Sequence, residues 1–334
     1  MKSSSPQGAV AAHPPAANAI ALAEAEAQEA KSASGAQRSP FAGLLWMALA
    51  SALFALMNLF ARLASAHVPW TEVGACRALV GGATALGFAL ARGAPLAVDA
   101  RERRLGWARS LCGTVALLCT FYTLGAPRIA LGDVVTLGAT SPIFVALLAP
   151  RLLGERSSRG LWGATLVAFL GVGLVAGPQL ELAGHLSMVA TAGAVASALA
   201  MVSLRKLGAS GRQAGPEAIA LHFSLVSAGA MLLLSIPTFQ VPDGPGALLL
   251  LGTGLAGGLA QLAMTRAYML DRAARVGTVG YLGVALSHVL GAAWLSETPS
   301  PHQLAGAALV TAAGLGLAFE AMREARSAPP EPPR

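Results

Sequence analysis

A chain of 334 residues with 55% hydrophobic and 12% charged side chains lacks the polar surface of a soluble protein, in which about 25% of residues are charged. A mean hydropathy of +0.62 points to a membrane protein, and the net charge of +7 comes from basic residues set between apolar runs, so no nucleic-acid partner is expected. Cys76, Cys112 and Cys119 lie inside those runs without C-x-x-C spacing, which excludes a disulfide framework and reads as small buried side chains.

Residues 1–40 are rich in Ala, Ser, Pro and Glu, with Pro14-Pro15 and an Ala-Glu alternation over 21–30. They hold no long apolar run, so a disordered cytoplasmic tail is expected. The basic, apolar and cleavage regions of a signal peptide are missing, which leaves insertion to the first span. From Phe41 onward apolar runs succeed one another. At roughly 1.5 Å per residue, about 20 residues cross a bilayer. Ten spans are predicted: 41–65, 71–91, 106–125, 129–150, 159–177, 183–204, 216–237, 246–268, 274–295 and 303–320. Connections such as Val68-Pro69 and Val241–Pro245 are short and turn-like. Lipid does not tolerate unpaired amides, and the alternation of a β-barrel is missing, so the spans are expected to be helices. A second cytoplasmic tail is expected over 321–334.

The stretch Gly132–Glu155, GDVVTLGATSPIFVALLAPRLLGE, has a weaker copy at Ala274–Glu297, ARVGTVGYLGVALSHVLGAAWLSE, and the closing glutamates are 142 residues apart. Gly163, Gly171 and Gly173 recur 143 residues on as Gly306, Gly314 and Gly316. Two copies at so long a period read as a doubled membrane unit, 41–178 and 179–320, rather than a solenoid. With the N-terminus inside, twenty Lys and Arg residues fall in the tails and inner connections, against Arg128 alone in an outer one. Both termini are therefore expected in the cytoplasm. Five spans per copy is an odd number, so the copies would insert upside down. The predicted fold class is an all-α integral membrane protein with ten transmembrane helices in two inverted five-helix repeats. Such halves can rock about a central site.

These features resemble the drug/metabolite transporter superfamily, specifically its ten-helix EamA-type members, over about residues 41–320. The resemblance is carried by the two five-span halves, by Ser141-Pro142-Ile143-Phe144, by Leu153-Gly154-Glu155 and Leu295-Ser296-Glu297 closing the fourth and ninth spans, by Phe54, Asn58 and Arg62, and by Arg77. The second half departs from the first, with Val284 and Ala285 in place of a proline and His288 in mid-span. The resemblance implies import or export of a small polar metabolite across the inner (plasma) membrane, often in exchange for protons or another solute. It implies a small molecule and the bilayer as partners, and neither an enzyme nor a cofactor. Oligomeric state does not follow from the sequence, and a homodimer stays open.

Candidate site residues are the polar ones inside spans, because an ionised group at mid-membrane costs at least ~2.5–3.5 kcal/mol. Arg62 and Arg77 offer positive charge to an anionic or zwitterionic substrate; the alternative is charge carried to the membrane edge or paired with Glu72. Asn58 shares a helix face with Arg62. Pro142 should kink the fourth span and free a carbonyl beside Thr140 and Ser141, whether for substrate or as a plain bend. Gln261, Thr265 and Tyr268 fall on one face of the eighth span, and would contact substrate or bond neighbouring helices. His288 titrates in a range that suits a proton relay, the alternative being a bonded core histidine; His222 is a weaker candidate. Tyr122 reads as an interfacial anchor. Glu155 and Glu297 are gate candidates, or caps of a following helix, and Asp133 suits a helix N-terminus. No metal site is expected. The glycine clusters lack the Lys-Ser/Thr ending of a phosphate loop, so they read as packing surfaces and the driving force as a gradient. A membrane-embedded lipid enzyme would gather nucleophile, base or metal ligands at one face, and no such cluster is seen. A non-transporting scaffold would have little use for an inverted duplication.

Overall fold

The structure, a computed structural model, describes residues 42–96, 102–153, 180–209, 215–270 and 279–327, with isolated residues between 160 and 174 and at 276. Its helices are α1 (Ala42–Ala64), α2 (Trp70–Arg92), α3 (Arg103–Leu124), α4 (Leu131–Gly138), α5 (Ser141–Leu153), α6 (Leu180–Ala209), α7 (Pro216–Ser235), α8 (Gly244–Leu270), α9 (Leu282–Trp294) and α10 (Pro301–Ser327). Among the described residues there is no strand. Five helical segments, Ala42–Ala64, Trp70–Arg92, Gly184–Gly208, Pro216–Thr238 and Gly244–Leu270, are long and apolar enough to cross a membrane. The 22-residue α3 is less apolar, because it carries Arg109, Ser110, Thr114, Thr120 and Thr123 inward or along its neighbours.

Local chemistry sets the ends. α2 follows Pro69, whose extended backbone cannot continue α1. It stops at Gly93, a left-handed residue (φ 60°) that lets Ala94 donate back to the Ala89 carbonyl. α7 opens on Pro216, where no amide bond is lost. Asp243 caps α8 by accepting the Gly246 N–H at 2.8 Å. Ahead of α10, Ser300 and Gln303 cap each other: Gln303 Oε1 accepts the Ser300 N–H (2.7 Å) and Ser300 Oγ accepts that of Gln303 (3.4 Å).

The helices pack as pairs: α1 along α8, α2 along α7, α3 along α6, with α2 also against α8. Glycine permits the closest approach. A Cβ on Gly258 would lie 2.9 Å from the Gly81 Cα, and one on Gly254 would overlap Val80. Large apolar side chains cover the outside, among them Leu248 at 72% and Leu233 at 70% exposure. Such a surface suits lipid rather than water.

The predicted fourth span is broken, which goes beyond the kink expected at Pro142. α4 ends at Gly138, Ala139 and Thr140 form a turn, and α5 begins at Ser141. Pro142 is the second residue of the new helix, where its missing N–H has no intrahelical partner to lose. The predicted ninth span also has a turn, at Gly280-Tyr281 between Val279 and Leu282, without a proline. The two turns are 141 residues apart in sequence. α10 runs to Ser327, seven residues past the predicted end of the tenth span.

Candidate functional site

Both broken spans face one cavity of about 270 Å³, walled by α1, α2, α3, α6, α7 and α8 as well. The breaks contribute Gly138, Ala139 and Ser141 from one side and Gly280, Tyr281 and Gly283 from the other. Irregular backbone at membrane depth is tolerated where it lines a cavity or is buried in protein.

Of the residues singled out from the sequence, Asn58, Arg77, Ser141, Gln261 and Tyr268 stand on the cavity wall. Thr265 lies behind it, accepting the Gln261 Nε2–H at 3.2 Å. Arg62 points away: its guanidinium donates to the carbonyls of Ala126 (2.6 Å) and Ile129. Arg62 and Asn58 therefore part company despite their shared helix face. Arg62 does not pair with Glu72, which accepts the Gln240 N–H at 2.7 Å. Glu297 also lies away from the cavity. Both its oxygens sit 3.0 Å from the Leu131 N–H, so it caps α4. His288 packs against Gly132, where a Cβ would overlap its ring, with Nε2 3.3 Å from Thr136 Oγ1. Asp133, in the first turn of α4, accepts from Gln303 Nε2 at 2.5 Å. Glu297, His288 and Asp133 thus bind α4 to its neighbours, and Arg62 holds the turn before it. His222 bonds Ser110 (2.7 Å) and meets Trp107 edge-on. Tyr122 meets Trp70 edge-on (5.6 Å). Pro142 contributes its backbone position at the start of α5, and Glu155 lies outside the described residues.

Charge counting along the sequence places Arg109 in the inner connection ahead of the third span, but the structure does not. It sits inside α3, only 2% exposed, on the cavity wall. Arg109, Gly113, Ala116 and Thr120 recur at helical spacing along that wall, which is the signal a periodicity reading of α3 would have used. Gly113 is bare because a Cβ there would overlap Arg109 Nη1 and the Phe223 ring. Ser51, Tyr281 and Ser287 are further wall residues without a sequence signal.

Two guanidiniums therefore meet in one cavity, both against Phe223, with Arg77 Cζ 5.4 Å and Arg109 Cζ 4.6 Å from the ring centroid. Arg77 donates from Nη2 to Gln261 Oε1 at 3.3 Å. Its Nε and Nη1, together with Arg109 Nε, Asn58 Oδ1, the Tyr281 hydroxyl and Ser287 Oγ, are buried without a hydrogen-bond partner. An aromatic face returns about 0.5–2 kcal/mol to a cation. Each buried charge costs at least ~2.5–3.5 kcal/mol even on lenient insertion scales. Among the described residues no Asp or Glu lines the cavity to make up the difference. Both arginines come from helices that precede residue 125; Gln261, Tyr268, Tyr281 and Ser287 all follow residue 260.

The sequence profile of the EamA-like transporter family matches residues 41–177. The chain is 31% identical over 277 residues to the pseudopaline exporter CntI of Pseudomonas aeruginosa (strain UCBPP-PA14), a match that covers 82% of the chain and 95% of the exporter. It is 26% identical over 285 residues to a riboflavin transporter of Vibrio cholerae, covering 84% and 93% of the two chains. A solved crystal structure superposes with a TM-score of 0.65 at 21% identity, covering 84% of this chain and 98% of the other, which supports the fold.

Proposed function

The chain belongs to the EamA-like transporter family, a membrane transporter of small metabolites rather than an enzyme, and from that premise we propose that it carries its substrate by alternating access between two inverted five-helix halves. The observation that carries this reading is the single cavity into which both broken spans open, lined with buried polar groups that lack partners. Transporters of inverted-repeat design hold substrate at such discontinuous helices, between the halves.

The packing supports the inverted halves. Exchanging α1 with α6, α2 with α7, α3 with α8, and the α4–α5 span with the ninth leaves the main contacts unchanged: α1–α8 becomes α6–α3, and α2–α7 maps onto itself. The two helix breaks fall 141 residues apart, close to the 142 of the sequence repeat. The glycines of the repeat serve packing between the halves, since a Cβ on Gly171 would lie 2.7 Å from the Gly306 carbonyl oxygen. The charge distribution supports an inner-membrane protein with both termini cytoplasmic. Coupling to a proton or solute gradient supplies about 2.3 kcal/mol per charge per 100 mV.

Reconstituted full-length protein is expected to show counterflow: vesicles preloaded with unlabelled substrate accumulate the labelled solute transiently and leave it chemically unaltered. The relatives direct the first trials to riboflavin and to pseudopaline. Conversion of solute without movement would favour an enzyme. No movement across a broad metabolite panel by well-folded protein would favour a scaffold.

A further inference from the structure

We propose that the cavity takes a small organic dianion, with one carboxylate on Arg77 and the other on Arg109; that this ligand is the transported substrate rests on the reading above. Arginine stays protonated and offers a planar fork of donors matched to a carboxylate. The same molecule shows what a structural arginine looks like: Arg62 spends its donors on two backbone carbonyls. Arg77 and Arg109 do not follow that pattern. Each is 2% exposed and stands on the cavity wall, where Arg62 does not, although the Nε of all three is buried without a partner.

The wall chemistry narrows the ligand. A cation would meet two positive charges, and a zwitterion would need a carboxylate for its ammonium, which the described wall residues do not supply. A neutral solute would leave both charges unbalanced in a low dielectric. A monoanion would balance one. A lone inorganic anion would leave most of a cavity of about 270 Å³ empty. Gln261 acts as a positioning residue: it accepts from Arg77 and is itself held by Thr265.

Thermal unfolding of the full-length protein in detergent tests this, with succinate, glutarate, adipate and citrate as probes. Their methyl esters, butyrate and phosphate are the controls. At least one di- or tricarboxylate is expected to raise the Tm saturably, while its ester does not. Arg77→Gln and Arg109→Gln should each weaken the apparent affinity about tenfold or more. Arg77→Lys and Arg109→Lys, which keep the charge and guard against misfolded variants, should lose less. Equal shifts from acids and esters overturn the proposal. So do silence across all four acids, a response to phosphate alone, or unchanged affinity in folded glutamine variants. Counterflow with the acid that shifts the Tm then separates the two readings. Binding without movement removes the transport reading and leaves the dianion site. Movement of a neutral solute that both glutamine variants sustain removes the dianion and leaves transport.

Discussion

Arg62, Arg77 and Arg109 are chemically alike, yet burial and partners divide them. Arg62 holds the turn before α4 by its bonds to Ala126 and Ile129. Replacing it by Gln should destabilise the protein by about 1–3 kcal/mol, since charged bonds to carbonyls are lost. Arg77→Gln or Arg109→Gln should do the opposite in the ligand-free protein, raising stability by on the order of 1 kcal/mol, because a buried charge without a counter-ion is removed. Thermal unfolding in ligand-free detergent reads both signs, and a destabilised Arg77→Gln or Arg109→Gln would mark those side chains as structural. Arg77 stood out in the sequence because it interrupts an apolar run. Arg109 did not, because it lies five and six residues from Arg104 and Arg103 and reads with them as charge of the inner connection. Charge counting assigns sidedness by position along the chain, whereas burial depends on which face of α3 meets α7.

At the scale of elements, the fourth span could be read as interrupted because proline announces itself. The ninth could not, since Gly280-Tyr281 resembles any other small-residue step in a glycine-rich chain. Pro142→Ala restores an amide that could bond the Gly138 carbonyl and draw α4 and α5 into one helix. Flux should fall with membrane insertion intact, and normal flux would separate the break from transport. Gly254 makes a sharper case. A methyl there meets Val80 Cβ, next to the α2 backbone, so Gly254→Ala should force α2 from α8. We expect a loss of about 1–3 kcal/mol in stability and a larger fall in flux, because Arg77 rides on α2. The long helices α1, α2, α6, α7 and α8 were readable from apolar run length, while the predicted span 159–177 lies largely outside the described residues. Contacts such as α1 with α8 were not, because many glycine faces are equally able to pack.

For the molecule as a whole, sidedness is the first thing to test. Single cysteines placed at Arg128 and Arg323 in a background without Cys76, Cys112 and Cys119 should differ. The first should react with an impermeant maleimide in intact cells, and the second only after the membrane is opened. The reverse result would turn the protein over and with it the assignment of the outer end.

On the proposed reading of two inverted halves in alternating access, the scaffold repeats but its charge does not. Both guanidiniums belong to α2 and α3, and the neutral wall groups beyond residue 260 answer them from the other side. A carrier whose halves trade places while its cations stay on one of them is not its own mirror image. The inward- and outward-open forms would grip the same solute with differently hydrated arginines. Half-saturation should therefore differ between the two faces of the membrane, even though at equilibrium the gradients alone set the concentration ratio. Such a kinetic valve needs no extra moving part, and it could arise wherever a duplicated frame acquires its charges in one copy.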